Sequence, residues 1–408
     1  MKGIRAAAIC LAAVMLAGCG GGGTTGSTEK KNLAPAEDLL DFTRYSQEAW
    51  LKPLWYTREV YNETVMFVGA DDEAKLLYDA EDIIAVSSYG LDKRYEEGKD
   101  WSYENGIFRR TVGSSVPYWE VDDYYLTSPD VYSIGVDQSK TLLRFPEKRY
   151  LKYGEQDTFT RKQVAVTYTH GSVWDGPVPE GKEDRFSGTL SRLRAGENLR
   201  FLFYGDSIST GCNASGTPQG GEVSPHTPSF PVMVCDYIRN KFGVETECIN
   251  TAVGGKNVSW GQSELDERVI AYSPDVVFIG FGMNDGKTPV DRYGAATRDM
   301  TARIHAALPD TEIMLIATML PNYEADSNWC GNQEAFADEL LSIERDYPYV
   351  SVANVTEMHK ALFGRGKRYR DVTGNNINHP NDFVVRLYAQ VLLKTMLGDA
   401  FCADNSDI

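Results

Sequence analysis

The sequence predicts an α/β protein: a doubly wound parallel sheet in the C-terminal half, preceded by an all-β region folded as a sandwich or jelly roll. Three observations lead there. From about residue 188 onward, short continuous apolar runs alternate with stretches of helical periodicity, the pattern of parallel strands joined by crossover helices. From about 41 to 187 the apolar runs are strand-like and are separated by turn residues instead of helices. Between the two, Pro177, Pro179 and the charged run Glu180-Gly181-Lys182-Glu183-Asp184-Arg185 mark a boundary. At 408 residues the chain exceeds one typical domain.

In chain order, the first segment is Met1-Lys2-Gly3-Ile4-Arg5 followed by an apolar stretch ending in Leu16-Ala17-Gly18-Cys19. A basic start and a short apolar core read as a secretory signal, too short for a membrane span of about 20 residues. Leu-Ala-Gly-Cys resembles a bacterial lipobox, which implies cleavage before Cys19, lipid attachment to its sulfur, and an extracytoplasmic protein anchored to a bacterial membrane. Residues 1–18 are thus the signal. Residues 19–40, with the composition GGGGTTGSTEKK over 20–31, are a flexible tether.

Within 41–187, strands are expected around Glu63-Thr64-Val65-Met66-Phe67-Val68, Ile83-Ile84-Ala85-Val86 and Gln163-Val164-Ala165-Val166-Thr167-Tyr168-Thr169, with a turn at Tyr103-Glu104-Asn105-Gly106. Within 188–408, strands are expected near 199–204, 245–250, 275–282, 312–318 and 349–353. The helices between them include 230–242, closed by Gly243, then 301–308 and 335–345. A final helix after Pro380 carries Phe383, Val384, Leu387, Val391 and Leu392 on one face.

Chemistry-bearing residues sit where these strands end. Gly205-Asp206-Ser207-Ile208-Ser209 follows the first strand, and a serine there projects into the crevice where open α/β sheets bind ligands. The second strand runs into Gly254-Gly255, the third into Gly282-Met283-Asn284-Asp285, and Asn376-Ile377-Asn378-His379 lies near the C-terminus. Ser, Gly, Asn and His in that order and context resemble the SGNH (GDSL-type) hydrolase superfamily, over residues from about 198 to 398. The resemblance implies a flavodoxin-like sheet and a carboxylic ester hydrolase. It makes Ser207 the nucleophile and His379 its base. The oxyanion donors it implies are the backbone N–H groups of Ser207 and Gly255 and the side-chain amide of Asn284. The chemistry requires such groups: a serine hydroxyl is a weak nucleophile without an adjacent base, and the tetrahedral oxyanion needs aimed donors. Glycine at 255 would let the backbone approach the ligand closely.

One position departs from the family pattern Asp-x-x-His, since Asn376 stands where the acid belongs. Three arrangements remain open: a Ser–His dyad oriented by a backbone carbonyl, which we favour; Asn376 acting through its oxygen; or a carboxylate from elsewhere, such as Asp371 or Asp382. In lacking the acid, the chain resembles some carbohydrate esterases of this superfamily that carry a β-sandwich before the hydrolase domain. Asp285 reads as a turn residue. His170, His226, His305 and His359 are scattered and read as structural or solvated.

The remaining composition narrows the partners. A net charge of −17 repels nucleic acid and anionic headgroups. No metal-ligand cluster, G-x-G-x-x-G or P-loop appears, so no cofactor is expected. Beyond Cys10 and Cys19, five cysteines at irregular spacing do not form a disulfide framework. Cys235 and Cys248 lie in core-like patterns, and Cys212 and Cys330 both lie in loops on the rim of the sheet. The expected function is hydrolysis of small acyl esters, O-acetyl foremost, on carbohydrate. Trp260 and Trp329 are the preferred sugar-stacking residues, with Trp174 and Tyr323 as further candidates. A lysophospholipase or thioesterase of the same fold and a non-catalytic carbohydrate-binding lipoprotein are the alternatives.

Overall fold

In the computed structural model, which describes residues 39–401 apart from 138, 140–144 and 146, nine described strands precede residue 170 and five follow it. The signal, Cys19, most of the tether and Cys402 lie outside the described residues. The first nine are β1 (Glu59–Met66), β2 (Glu73–Lys75), β3 (Asp82–Ser88), β4 (Trp101–Glu104), β5 (Ile107–Arg110), β6 (Tyr125–Leu126), β7 (Ser133–Gly135), β8 (Tyr150–Lys152) and β9 (Gln163–Thr169). They pair antiparallel in three small sheets, β1–β9–β3, β2–β5–β4 and β6–β8–β7. The β4–β5 hairpin closes on Asn105-Gly106, both with positive φ, as a two-residue turn between right-twisted strands demands.

The other five are β10 (Leu199–Gly205), β11 (Thr246–Asn250), β12 (Val276–Gly280), β13 (Glu312–Ala317) and β14 (Val350–Asn354), close to the spans expected. They form one parallel sheet in the order β11–β10–β12–β13–β14. The chain steps outward from β10 to β11 and then back across to β12. That reversal opens a crevice beyond the carboxyl ends of β10 and β12.

Alternation along β10 divides the core. Phe201 and Phe203 face the layer holding helices Phe230–Phe242 and Asp382–Leu397. Leu202 and Tyr204 face Val258–Arg268, Val290–Ala307 and Gln333–Asp346. Phe203 stacks on Phe278 of β12 with ring centroids 4.4 Å apart. The first layer does not stop at its helices. Val60, Val65, Val164, Val166 and Tyr168 of β1 and β9 join the same apolar cluster as Leu387 and Val391. All described residues fall in one compact unit.

Two expectations need correction. The helix Asp382–Leu397 was read as amphipathic, yet every one of its residues is buried. The N-terminal segment covers the side that would face water: Gln390 Nε2 donates to the carbonyls of Trp50 and Lys52 at 2.9 and 2.8 Å, and the Arg386 guanidinium lies 5.7 Å from the centroid of the Trp50 ring. Cys235 is buried, but Cys248 is exposed because β11 is the edge strand. Of the rim cysteines, Cys212 sits 3.4 Å from Thr210 Oγ1, and the Cys330 thiol donates to the Asn322 carbonyl at 2.8 Å. No helix among the described residues is long and apolar enough to cross a membrane.

Candidate active site

The turn at Ser207 is shaped by one glycine and one cap. A Cβ at Gly205 would lie 2.4 Å from the Gly280 carbonyl oxygen and 2.5 Å from Ser209 Oγ, so only glycine lets β10 end this close to β12. Asp206 then caps the short helix Ser207–Thr210, its Oδ1 accepting from Ile208 N–H at 3.0 Å. Ser207 is the first helical residue, where the backbone N–H has no intrahelical acceptor. Burial raises the Asp206 carboxyl to about 7, with the nearby Asp285 charge adding to the effect.

His379 arrives from the opposite end of the chain. Its loop is tied by Asn375, whose Oδ1 accepts from the backbone N–H groups of Ile377, Asn378 and His379, each at 3.0 Å. This brings His379 Nε2 to 2.9 Å from Ser207 Oγ. On the other side of the ring, Nδ1 lies 2.7 Å from Asn213 Oδ1 and 3.2 Å from Glu155 Oε2.

The surrounding bonds settle the tautomer. Asn213 Nδ2 donates to the Gln156 carbonyl at 3.0 Å, so its Oδ1 must face the ring as an acceptor. Asn375 Nδ2 is also 3.0 Å from Nδ1, but its hydrogens have acceptors in Asn378 Oδ1 at 2.9 Å and Glu155 Oε1 at 3.1 Å. With acceptors on that side, Nδ1 carries the proton and Nε2 is left to accept from the serine hydroxyl. Partial burial disfavours the Glu155 carboxylate, yet the hydrogen bond from His379, the charge that ring carries when protonated and the Asn375 amide hold it below the ordinary glutamate range.

Gly254 lies beside the serine, and Asn284 is tied to the same loop. Val253 N–H donates to the Gly205 carbonyl at 3.0 Å, and a Cβ on Gly254 would stand 3.8 Å from Ser207 Cβ, so this loop passes beside the nucleophile. A Cβ on Gly255 would meet nothing within 4 Å. Its φ of +74° favours glycine there. Asn284 Nδ2 donates to the Lys256 carbonyl at 3.0 Å, which uses one of its two hydrogens and locks the β11 and β12 loops together. Asp285 accepts from Val258 N–H and the Thr288 hydroxyl, a structural role.

Asn376 is not part of this constellation. Its Oδ1 accepts from the Tyr124 hydroxyl at 2.8 Å and its Nδ2 donates to the Lys152 carbonyl at 2.9 Å, both away from the imidazole. Asp371 is committed to Arg368 and to the backbone of Met66, and Asp382 accepts from Ser215 N–H. The groups at Nδ1 are instead Asn213 and Glu155, which sequence reasoning missed. Glu155 follows β8 by three residues, on an irregular stretch with no spacing relation to the serine or histidine.

The aromatic candidates separate. Trp260 packs near Tyr204 and Phe281 and is flanked by the Arg268 guanidinium and Lys256 ammonium, at 4.9 and 5.3 Å from its ring. Trp174 packs against Tyr78 and lies under Arg365, with Nε1 on the Pro177 carbonyl. Tyr323 packs against Phe363. Trp329 alone of the four is classed as exposed, and Gln333 Nε2 bridges its carbonyl to that of Met283, beside Asn284. His170 stacks on Tyr78, His305 on Tyr349, and His359 Nδ1 accepts from Leu320 N–H.

Comparison with known proteins fits this geometry. Residues 203–384 match the family model described as GDSL-like Lipase/Acylhydrolase family. No curated protein sequence matches the chain significantly. Among solved structures the chain is similar to a two-domain esterase active on acetylated mannans, co-crystallized with mannopentaose, at 20% identity and a TM-score of 0.45 over 55% of each chain, or about half of that esterase's length. It is also similar to an acetyl xylan esterase from Geobacillus stearothermophilus, at 17% identity and a TM-score of 0.40 over 49% of this chain and 94% of that one. A third similar structure is an alpha/beta hydrolase enzyme from the metagenome of Lake Arreo, Spain, at 14% identity and a TM-score of 0.38 over 48% and 93%. Residues 203–384 thus carry a GDSL-like lipase/acylhydrolase domain.

Proposed function

We propose that this protein is a serine esterase that removes small acyl groups, O-acetyl foremost, from carbohydrate. The observation that carries the reading is the 2.9 Å contact between His379 Nε2 and Ser207 Oγ, with acceptors on the far side of the ring. Ser207 Oγ attacks the ester carbonyl carbon as Nε2 takes its proton. The oxyanion is received by the N–H groups of Ser207 and Gly255 and the Asn284 amide. Collapse expels the sugar alkoxide, which takes the proton from His379. Water, deprotonated by the same imidazole, then attacks the acyl-serine and releases the acid.

A carbohydrate leaving group is supported by the polar surroundings. Asn213, Asn375, Asn378 and Glu155 cluster at the histidine, and the exposed Trp329 stands beside the Asn284 turn, a flat apolar surface for a sugar face. We also place the enzyme outside the cytoplasm, anchored through lipid on Cys19. The Leu16-Ala17-Gly18-Cys19 run supports that placement.

The test is a fluorophosphonate probe followed by acyl-ester kinetics. The wild type is expected to be labelled at Ser207 and to release acetate from acetylated oligosaccharides. Ser207→Ala and His379→Ala are expected to do neither. An unlabelled wild type would remove the esterase reading, and a rate that climbs steadily toward long acyl chains such as octanoate would remove the sugar substrate.

A further inference from the structure

We propose that Asn213 and Glu155 jointly replace the missing acid as positioning residues of His379, Asn213 fixing the tautomer and Glu155 supplying the charge. The inference rests on the esterase reading above. Geometry separates the two roles. Asn213 Oδ1 makes the shorter contact with Nδ1, at 2.7 Å, and its amide is held by the Gln156 carbonyl, so it can offer the ring only an acceptor. An amide carries no net charge, however, and cannot stabilise the imidazolium formed when Ser207 gives up its proton. Glu155 Oε2, 3.2 Å from Nδ1, can.

Glu155 is delivered by the antiparallel region. The chain leaving β8 is stitched to the histidine loop by Asn376 Nδ2 on the Lys152 carbonyl at 2.9 Å and by Gly154 N–H on the Asn375 carbonyl at 3.3 Å. Asn375 Nδ2 then holds the other carboxylate oxygen, Oε1, at 3.1 Å. The residue standing in the acid's place therefore orders the segment that carries the replacement. Of the other ionisable groups nearby, Asp206 and Cys212 flank Ser207 on its own turn, Asp371 is held by Arg368, and Asp382 is turned to Ser215 N–H. Glu155 is the carboxylate that reaches the ring.

The test uses the full chain with a small chromogenic acetate ester. Glu155→Gln keeps an acceptor and loses the charge. It is expected to lower kcat roughly tenfold, a modest factor because the carboxylate is half-exposed and screened. It should also move the acid limb of the kcat/KM profile to lower pH, since the imidazolium loses a stabilising neighbour. Asn213→Ala should lower kcat without moving that limb. The double variant should lose far more than the product of the singles, approaching about 10⁴ as the ring becomes free to adopt the wrong tautomer.

Fluorophosphonate labelling separates this inference from the esterase reading. If wild type and Glu155→Gln are both labelled at Ser207 while kcat and the acid limb stay unchanged, Glu155 has no such role and the esterase reading stands. Strictly multiplicative losses in the double variant would show that the two residues do not share one proton, and would equally overturn the proposal.

Discussion

The Tyr124 hydroxyl donates to Oδ1 of Asn376 at 2.8 Å, and so the residue three places before His379 points away from the imidazole and into the antiparallel region. Its backbone is left-handed, with φ of +71°, a conformation asparagine tolerates well. Restoring the family's acid here should therefore not restore a triad. Asn376→Asp is expected to leave kcat no higher than wild type. It should also cost about 1–3 kcal/mol of stability, because the Lys152 carbonyl loses its donor in a buried site. Denaturant unfolding alongside steady-state kinetics checks both, and a faster enzyme would contradict the orientation described.

Asn284 is a direct test of the oxyanion hole. Asn284→Ala should lower kcat by about 10²–10³ with little change in KM. The variant also loses the bond to the Lys256 carbonyl, so its melting temperature should be recorded. A fall in kcat below tenfold would mean that the amide serves the loop more than the transition state.

The buried Asp206 makes stability depend on pH in a defined direction. Its carboxyl titrates near 7 in the folded chain against an ordinary 3.8. Between those values the unfolded chain gives up the proton and the folded chain keeps it, so this group's contribution to stability falls as pH rises from about 4 to about 7. Asp206→Asn removes that dependence. The difference in unfolding free energy between variant and wild type should therefore shift in the variant's favour across the window, whatever its offset. A constant difference would show that Asp206 is ionised throughout.

Lys367 and Glu63 form a fully buried ion pair at 2.5 Å, joining β1 to the segment that leads into the histidine loop. Glu63 also accepts from the Tyr168 hydroxyl and Leu77 N–H. Lys367→Met strands the carboxylate and should cost about 3–5 kcal/mol, while pairing it with Glu63→Leu should recover much of the loss. Chemical unfolding of the single and double variants measures this. A single variant near wild-type stability would argue that the pair contributes little.

Trp329→Ala should raise KM for acetylated oligosaccharides and leave turnover of a small acetate ester unchanged, because the role proposed for this exposed ring is to stack on a sugar and not to act on the ester. Equal effects on both substrates would instead point to loss of the Asn284 turn.

Much of this was legible in the chain. The five parallel strands could be read because buried apolar runs obey short-range patterns, and Ser207 and His379, which the family resemblance paired, lie 2.9 Å apart. The groups on Nδ1 could not. Glu155 is 224 residues from His379 and Asn213 is 166 residues from it, and only tertiary folding brings them to one nitrogen. The buried polar side of helix Asp382–Leu397 was hidden for the same reason: Gln390 looks solvated until Trp50 and Lys52, some 340 residues away, are laid over it.

That enclosed helix bears on how such an enzyme can be reshaped. His379 sits just ahead of its first turn, and one wall of its enclosure is contributed by the strands that precede the hydrolase half. Excising those strands to obtain a minimal catalyst would expose Leu387, Val391 and their neighbours to solvent and discard the anion beside the imidazole in a single cut. Engineering or recombination that treats the two halves as interchangeable modules should yield aggregates.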